Sequence, residues 1–108
     1  MTHTEAVKMV HGKRNASRRK VGNNTYAEIL DDGSIGIKLH HTYVVKIHTD
    51  DSTTLNTGGY HTRTTKDRIN EYAPCGVCVV QRKHEWYVQK RIQGFTNMVP
   101  YQEGMTVR

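Results

Sequence analysis

From Thr25 onward the sequence alternates between apolar and polar side chains at a period of two, and tight-turn signals interrupt it at short intervals. A period of two sends successive side chains to opposite faces of an extended strand, so this part of the chain is restricted to half-buried β-structure. Thr25 to Leu30 runs into Asp31-Asp32-Gly33, after which Ile35, Ile37 and Leu39 share one face of Ser34 to His40. Thr42 to His48 puts Tyr43, Val45 and Ile47 on one side and Val44, Lys46 and His48 on the other; Asp50-Asp51-Ser52 then turns the chain into Thr53 to Asn56. Strands joined by such short turns pair antiparallel, which predicts a meander with one core face and one wetter face.

Gly58-Gly59 ends the alternation, because paired glycines favour backbone angles that neither strand nor helix uses. Thr64 with Asp67 three residues later predicts a helix start, Ile69 and Tyr72 give it a thin apolar stripe, and Pro74 stops it. Gly76 to Arg82 and Glu85 to Ile92 read as a second hairpin around Lys83-His84, and Met98 to Val107 as an added edge strand. At the other end, Thr2 and Glu5 have the spacing of a capping box, and Ala6, Val7, Met9 and Val10 form one face of a short helix over 3–11. The expected fold is α+β and mainly β: a single curled antiparallel sheet, meander plus second hairpin, with one or two short helices.

Charge divides the chain differently. Through Gly22 the bases Lys8, Lys13, Arg14, Arg18, Arg19 and Lys20 face the single acid Glu5, a balance of +5 in a chain of formal charge +6. This predicts a basic N-terminal arm over 1–22 and a single small β-rich domain over 23–108. Lys13 to Asn24 has no apolar period and reads as an extended connector. Concentrated positive charge favours polyanions through counterion release, so DNA or RNA is the expected partner of Lys13, Arg14, Arg18, Arg19 and Lys20. No Trp, Phe or Leu face accompanies these charges, which argues against a membrane surface. Arg63, Lys66 and Arg68 surround the expected helix start and offer a second phosphate site. Lys38, His40, Lys46 and His48 are secondary candidates on the outward face of adjacent strands. Trp86 and Tyr87 fall on opposite faces of one strand, so one joins the core and the other is placed to stack on a base.

The remaining chemistry is sparse. Cys75-Gly76-Val77-Cys78 runs into a β-rich stretch rather than a helix, unlike a redox motif, and reads as two buried thiols. The paired acids Asp31-Asp32 and Asp50-Asp51 sit in turns. No nucleophile elbow, phosphate loop or dinucleotide fingerprint occurs. The chain is therefore read as a non-enzyme, with no metal and no cofactor. No apolar run approaches the roughly 20 residues that cross a bilayer, and Met1 to Val10 carries no signal-peptide apolar region.

Val21-Gly22-Asn23-Asn24-Thr25-Tyr26, Ile35-Gly36-Ile37-Lys38-Leu39-His40, the Thr42, Val44 and Val45 positions and Leu55-Asn56-Thr57-Gly58-Gly59-Tyr60, continuing into Thr62, Thr64-Thr65-Lys66 and Arg68-Ile69-Asn70, resemble a widespread family of small tailed-bacteriophage proteins. That family shows N-T-Y, then L-H-x-T, then G-G-W-x-T-x-T-T-x-x-R-x-N; this chain has Tyr60 at the Trp position. The resemblance implies phage origin and supplies no activity; with no apolar span or signal region, the expected place of action is the cytoplasm of the bacterial host. Three readings follow. The first is a nucleic-acid-associated protein holding phosphates through the arm. The alternative is a protein-binding modulator of an acidic or nucleic-acid-binding host complex, an anti-defence or anti-CRISPR-type inhibitor or a transcription modulator. The third, a virion component, predicts self-association through a sheet edge.

Overall fold

The computed structural model describes residues 1–13 and 16–108, so Arg14 lies outside the described residues. Its elements are α1 (His3–His11), β1 (Arg18–Gly22), β2 (Thr25–Ile29), β3 (Ile35–Leu39), β4 (Thr42–Ile47), β5 (Thr53–Leu55), α2 (Arg63–Tyr72), β6 (Val77–Arg82), β7 (Glu85–Ile92), β8 (Phe95–Pro100) and β9 (Thr106–Val107). The fold is α+β and mainly β. Strands β1 to β5 form an antiparallel meander in chain order, and β9 completes a six-stranded sheet by pairing with β5.

Both helices pack on the same face of this sheet. Ala6 and Val10 from α1 and Ile69 and Tyr72 from α2 are buried with Ala27, Ile35, Ile37, Val45, Ile47 and Leu55 in one core. Each aliphatic side chain so buried contributes about 1.5–3 kcal/mol, and this cluster is the main force holding helices to sheet. The capping box opens α1: the Thr2 hydroxyl accepts from Glu5 N, and the Glu5 carboxylate accepts from Thr2 N. Thr62 caps α2 by accepting from Thr65 N, two residues before the cap that Thr64 and Asp67 suggest.

The second hairpin does not continue the meander. Together with β8 it makes a separate three-stranded sheet, β6-β7-β8. It is docked on α2, whose Asn70 amide donates to Val79 O at 3.0 Å and accepts from Val79 N at 2.6 Å. A side chain that matches both backbone groups of a strand residue fixes that strand to the helix, and the large sheet is left to end at β9 instead.

No boundary is drawn at residue 22. The expected connector holds β1, registered on β2 with Arg18 opposite Glu28, Arg19 opposite Ala27 and Lys20 opposite Tyr26. The absence of an apolar period reflects an edge strand whose backbone pairs on one side only and whose side chains are mostly wet. The alternation in β4 is also interrupted. Ile37 pairs with Val45 but Lys38 pairs with Tyr43, so Val44 is an extra residue in a β-bulge. Val44 and Val45 are both buried, and Tyr43 moves to the face opposite the one its spacing predicts. The thiols differ too: Cys75, in the turn after Pro74, is exposed and Cys78 half-buried on β6, both free.

Candidate nucleic-acid interface

The face of the large sheet turned away from the helices is built by the register alone. One row runs Arg18, Glu28, Gly36, Lys46, Thr54, Thr106, and the next runs Lys20, Tyr26, Lys38, Tyr43. These rows bring Arg18, Lys20, Lys38 and Lys46 onto one surface with two tyrosines and a single acid. Arg18 stacks over the Tyr26 ring, 3.9 Å from its centre. Lys38 and Lys46 both approach the Tyr43 ring, 5.4 and 5.6 Å from its centre.

Glu28 organises the surface. Its Oε2 takes Arg18 Nε at 3.2 Å, and its Oε1 accepts the Tyr43 hydroxyl at 2.9 Å. That hydrogen bond, aided by burial, raises the Tyr43 hydroxyl above its ordinary pKa, so it stays protonated as a donor. Gly36 gives the ring its place, since a Cβ there would come within 2.6 Å of Tyr43 Cδ1. The arrangement presents cations already oriented by aromatic rings, with one carboxylate neutralised internally.

The sequence candidates divide accordingly. Arg18, Lys20, Lys38 and Lys46 come together on this face. Arg19 points to the other side, where its guanidinium donates to Met9 O at the end of α1. Lys13 is exposed beyond α1, lining a shallow recess with Arg19 rather than joining the open face. Arg68 is a brace: its Nε donates to Thr25 Oγ1 at 3.0 Å and its Nη1 meets Glu71. Arg63 is exposed and Lys66 half-buried on the first turns of α2. His48 is tied between the hydroxyls of Ser34 and Thr54, and His40 occupies the β3–β4 turn at φ 56 rather than a strand face. Trp86 is buried against His61 and Tyr101 and is closed to stacking. Tyr87 is half-buried and donates to Glu85. Sequence reasoning missed Tyr26 and Tyr43. Period-two counting back from Glu28 finds Tyr26, whereas the bulge at Val44 hides Tyr43.

Among the described residues no three His, Cys, Asp or Glu side chains gather to hold a metal. Among them, too, no helix is long and apolar enough to cross a membrane. A family model described as Kyanoviridae Gp96 protein matches residues 2–108, and the chain belongs to that phage family. No curated protein and no solved structure matches it.

Proposed function

We propose that this member of a phage family binds nucleic acid across the open face of its large sheet, acting in the cytoplasm of the bacterial host. The observation that carries the reading is the register-enforced gathering of Arg18, Lys20, Lys38 and Lys46 against Glu28 alone. The cations take phosphates and set no sequence preference, and the tyrosine rings beneath them supply flat apolar surface for sugar and base. The reading assigns two of the N-terminal bases to the sheet, so it needs no free arm. Titrating the isotopically labelled protein with a short single-stranded oligonucleotide tests it by amide shifts. Shifts concentrated on β1 to β4 are expected; shifts confined to β6 to β8, or none at low salt, overturn it.

A second reading, a protein-binding modulator of a host complex, is favoured by the β7–β8 hairpin. Phe95 is 78% exposed, and Ile92, paired with it across the strands, is 50% exposed. Exposed apolar clusters of this kind mark contact surfaces. A host complex retained by the intact protein and lost with Phe95→Ser supports this reading, and equal retention by both removes it.

A further inference from the structure

We infer that the recess between the β3–β4 turn and the start of α2 is a binding site for a nucleobase. It has a volume of about 470 Å³, within the range of small-ligand pockets. Its floor is apolar, from Leu39 and Val44, and its rim carries His40, His41, Tyr60 and Thr64.

Two of the sequence stretches singled out above meet here, 39–42 and 57–65, and most of their residues have structural duties. Gly58, at φ 65, leaves the space that Thr42 fills. Thr57 donates its hydroxyl to Glu103 at 2.8 Å, and the Thr62 and Thr65 hydroxyls bond each other at the α2 cap. The side chains of His40, His41, Tyr60 and Thr64 have no hydrogen-bond partner among the described residues. Tyr60 is 68% exposed, yet its backbone is pinned by a bond from Tyr60 N to Thr57 O across the two glycines. An exposed aromatic ring presented by an ordered turn, in a recess it shares with two imidazoles and the aliphatic Leu39 and Val44, fits a planar heterocycle. The Thr42 and Thr64 hydroxyls, each able to donate or accept, suit the mixed polar edge of a base.

The charge nearby has the sign a nucleotide needs. Among the described residues no acid lines the recess, and the first turn of α2 carries none. Arg63 and Lys66 are chain neighbours of the lining Thr62, Thr64 and Thr65 on the first turn of α2, and are the cations offered to a phosphate attached to the base. Among the described residues Arg63 is engaged only by Asp67 at 3.9 Å, with its side chain 92% exposed. The site lies on the helix side of the sheet, so it does not depend on the open face.

The test is amide-shift titration of the full chain with the four ribonucleoside 5′-monophosphates, the matching nucleosides, inorganic phosphate and a short oligonucleotide. Shifts at 39–42 and 57–65 with nucleotide and nucleoside are expected. Tyr60→Ala, an exposed substitution, should weaken them about tenfold and Tyr60→Phe should restore them. Arg63→Gln with Lys66→Gln should weaken the nucleotide but not the nucleoside. Shifts here with the oligonucleotide alone assign the base to a strand, and shifts with mononucleotides assign a free nucleotide; either supports the site. Equal shifts with inorganic phosphate, or none here with any of these probes, overturn it. Lys38→Gln with Lys46→Gln should leave the mononucleotide response intact, so failure of the sheet-face reading and failure of this one are separable.

Discussion

Two single residues show how closely local chemistry is matched to the fold. Thr53 is fully buried, and its hydroxyl has no hydrogen-bond partner among the described residues. A buried polar atom left unpaired costs about 1–3 kcal/mol, and valine has the same shape without it. Thr53→Val should therefore stabilise the protein by about 1 kcal/mol, read as a higher denaturation midpoint; an unchanged or lower midpoint would show the hydroxyl to be satisfied. Gly36 is the opposite case, a position where the smallest side chain is required by its neighbour. Gly36→Ala pushes the new Cβ into the Tyr43 ring, an overpacking cost of about 1–3 kcal/mol. It should also reduce oligonucleotide affinity, because the ring that orients Lys38 and Lys46 is displaced.

Elements differ in how plainly the sequence announces them. Helix α1 is legible in Thr2, Glu5 and the spacing of Ala6 and Val10, and β3 in the alternation of Ile35, Ile37 and Leu39. Strand β1 was not legible, because an edge strand carrying Arg18, Arg19 and Lys20 looks like a solvated segment until its backbone partner is known. The face of Tyr43 was hidden for another reason: a bulge is decided by competition between neighbouring side chains for the core, and Val44 and Val45 both win. Half of the candidate surface, Lys38 and Lys46, could be read from period two. The other half needed the register of β1 on β2. Because α1 and β1 belong to the core and the sheet, removing residues 1–22 should cost the folded state and not merely a binding arm. Val10→Ala offers the graded version, with an expected loss of about 2 kcal/mol in chemical denaturation. A full-stability truncation would show that the first 22 residues are an appendage after all.

At the scale of the whole molecule, the C-terminal segment ties the two sheets together through Glu103. Thr57 N, Thr57 Oγ1 and Tyr101 Oη all donate to its carboxylate. Desolvation pushes the Glu103 pKa up, but the bonds from Tyr101 and Thr57 outweigh it and leave it below the ordinary 4.5. Desolvation and the same carboxylate raise the Tyr101 hydroxyl in turn. Asp50 is held down to about 2, chiefly by the Ser52 hydroxyl and amide, with Arg108 contributing. Both carboxyls have folded pKa values below their unfolded ones, so their stabilisation is fully present above about pH 4.5 and is lost as pH falls through the folded values. Glu103→Gln should lower stability at neutral pH and make the decline below pH 4.5 shallower, as followed by thermal melts across pH; an unaltered acid limb would deny the clasp its role.

The open face is the claim on which the functional account stands, and its most direct test is the salt dependence of oligonucleotide binding by fluorescence anisotropy. With Arg18 held by Glu28, if Lys20, Lys38 and Lys46 each neutralise one phosphate, log K for a single strand should fall against log salt with a slope of about −2. Lys38→Gln with Lys46→Gln should reduce that slope by about 1.4, whereas Arg82→Gln with Lys83→Gln, on the β6–β7 hairpin, should leave it unchanged. A slope insensitive to the first pair and reduced by the second would contradict the account and move the nucleic-acid surface to the small sheet.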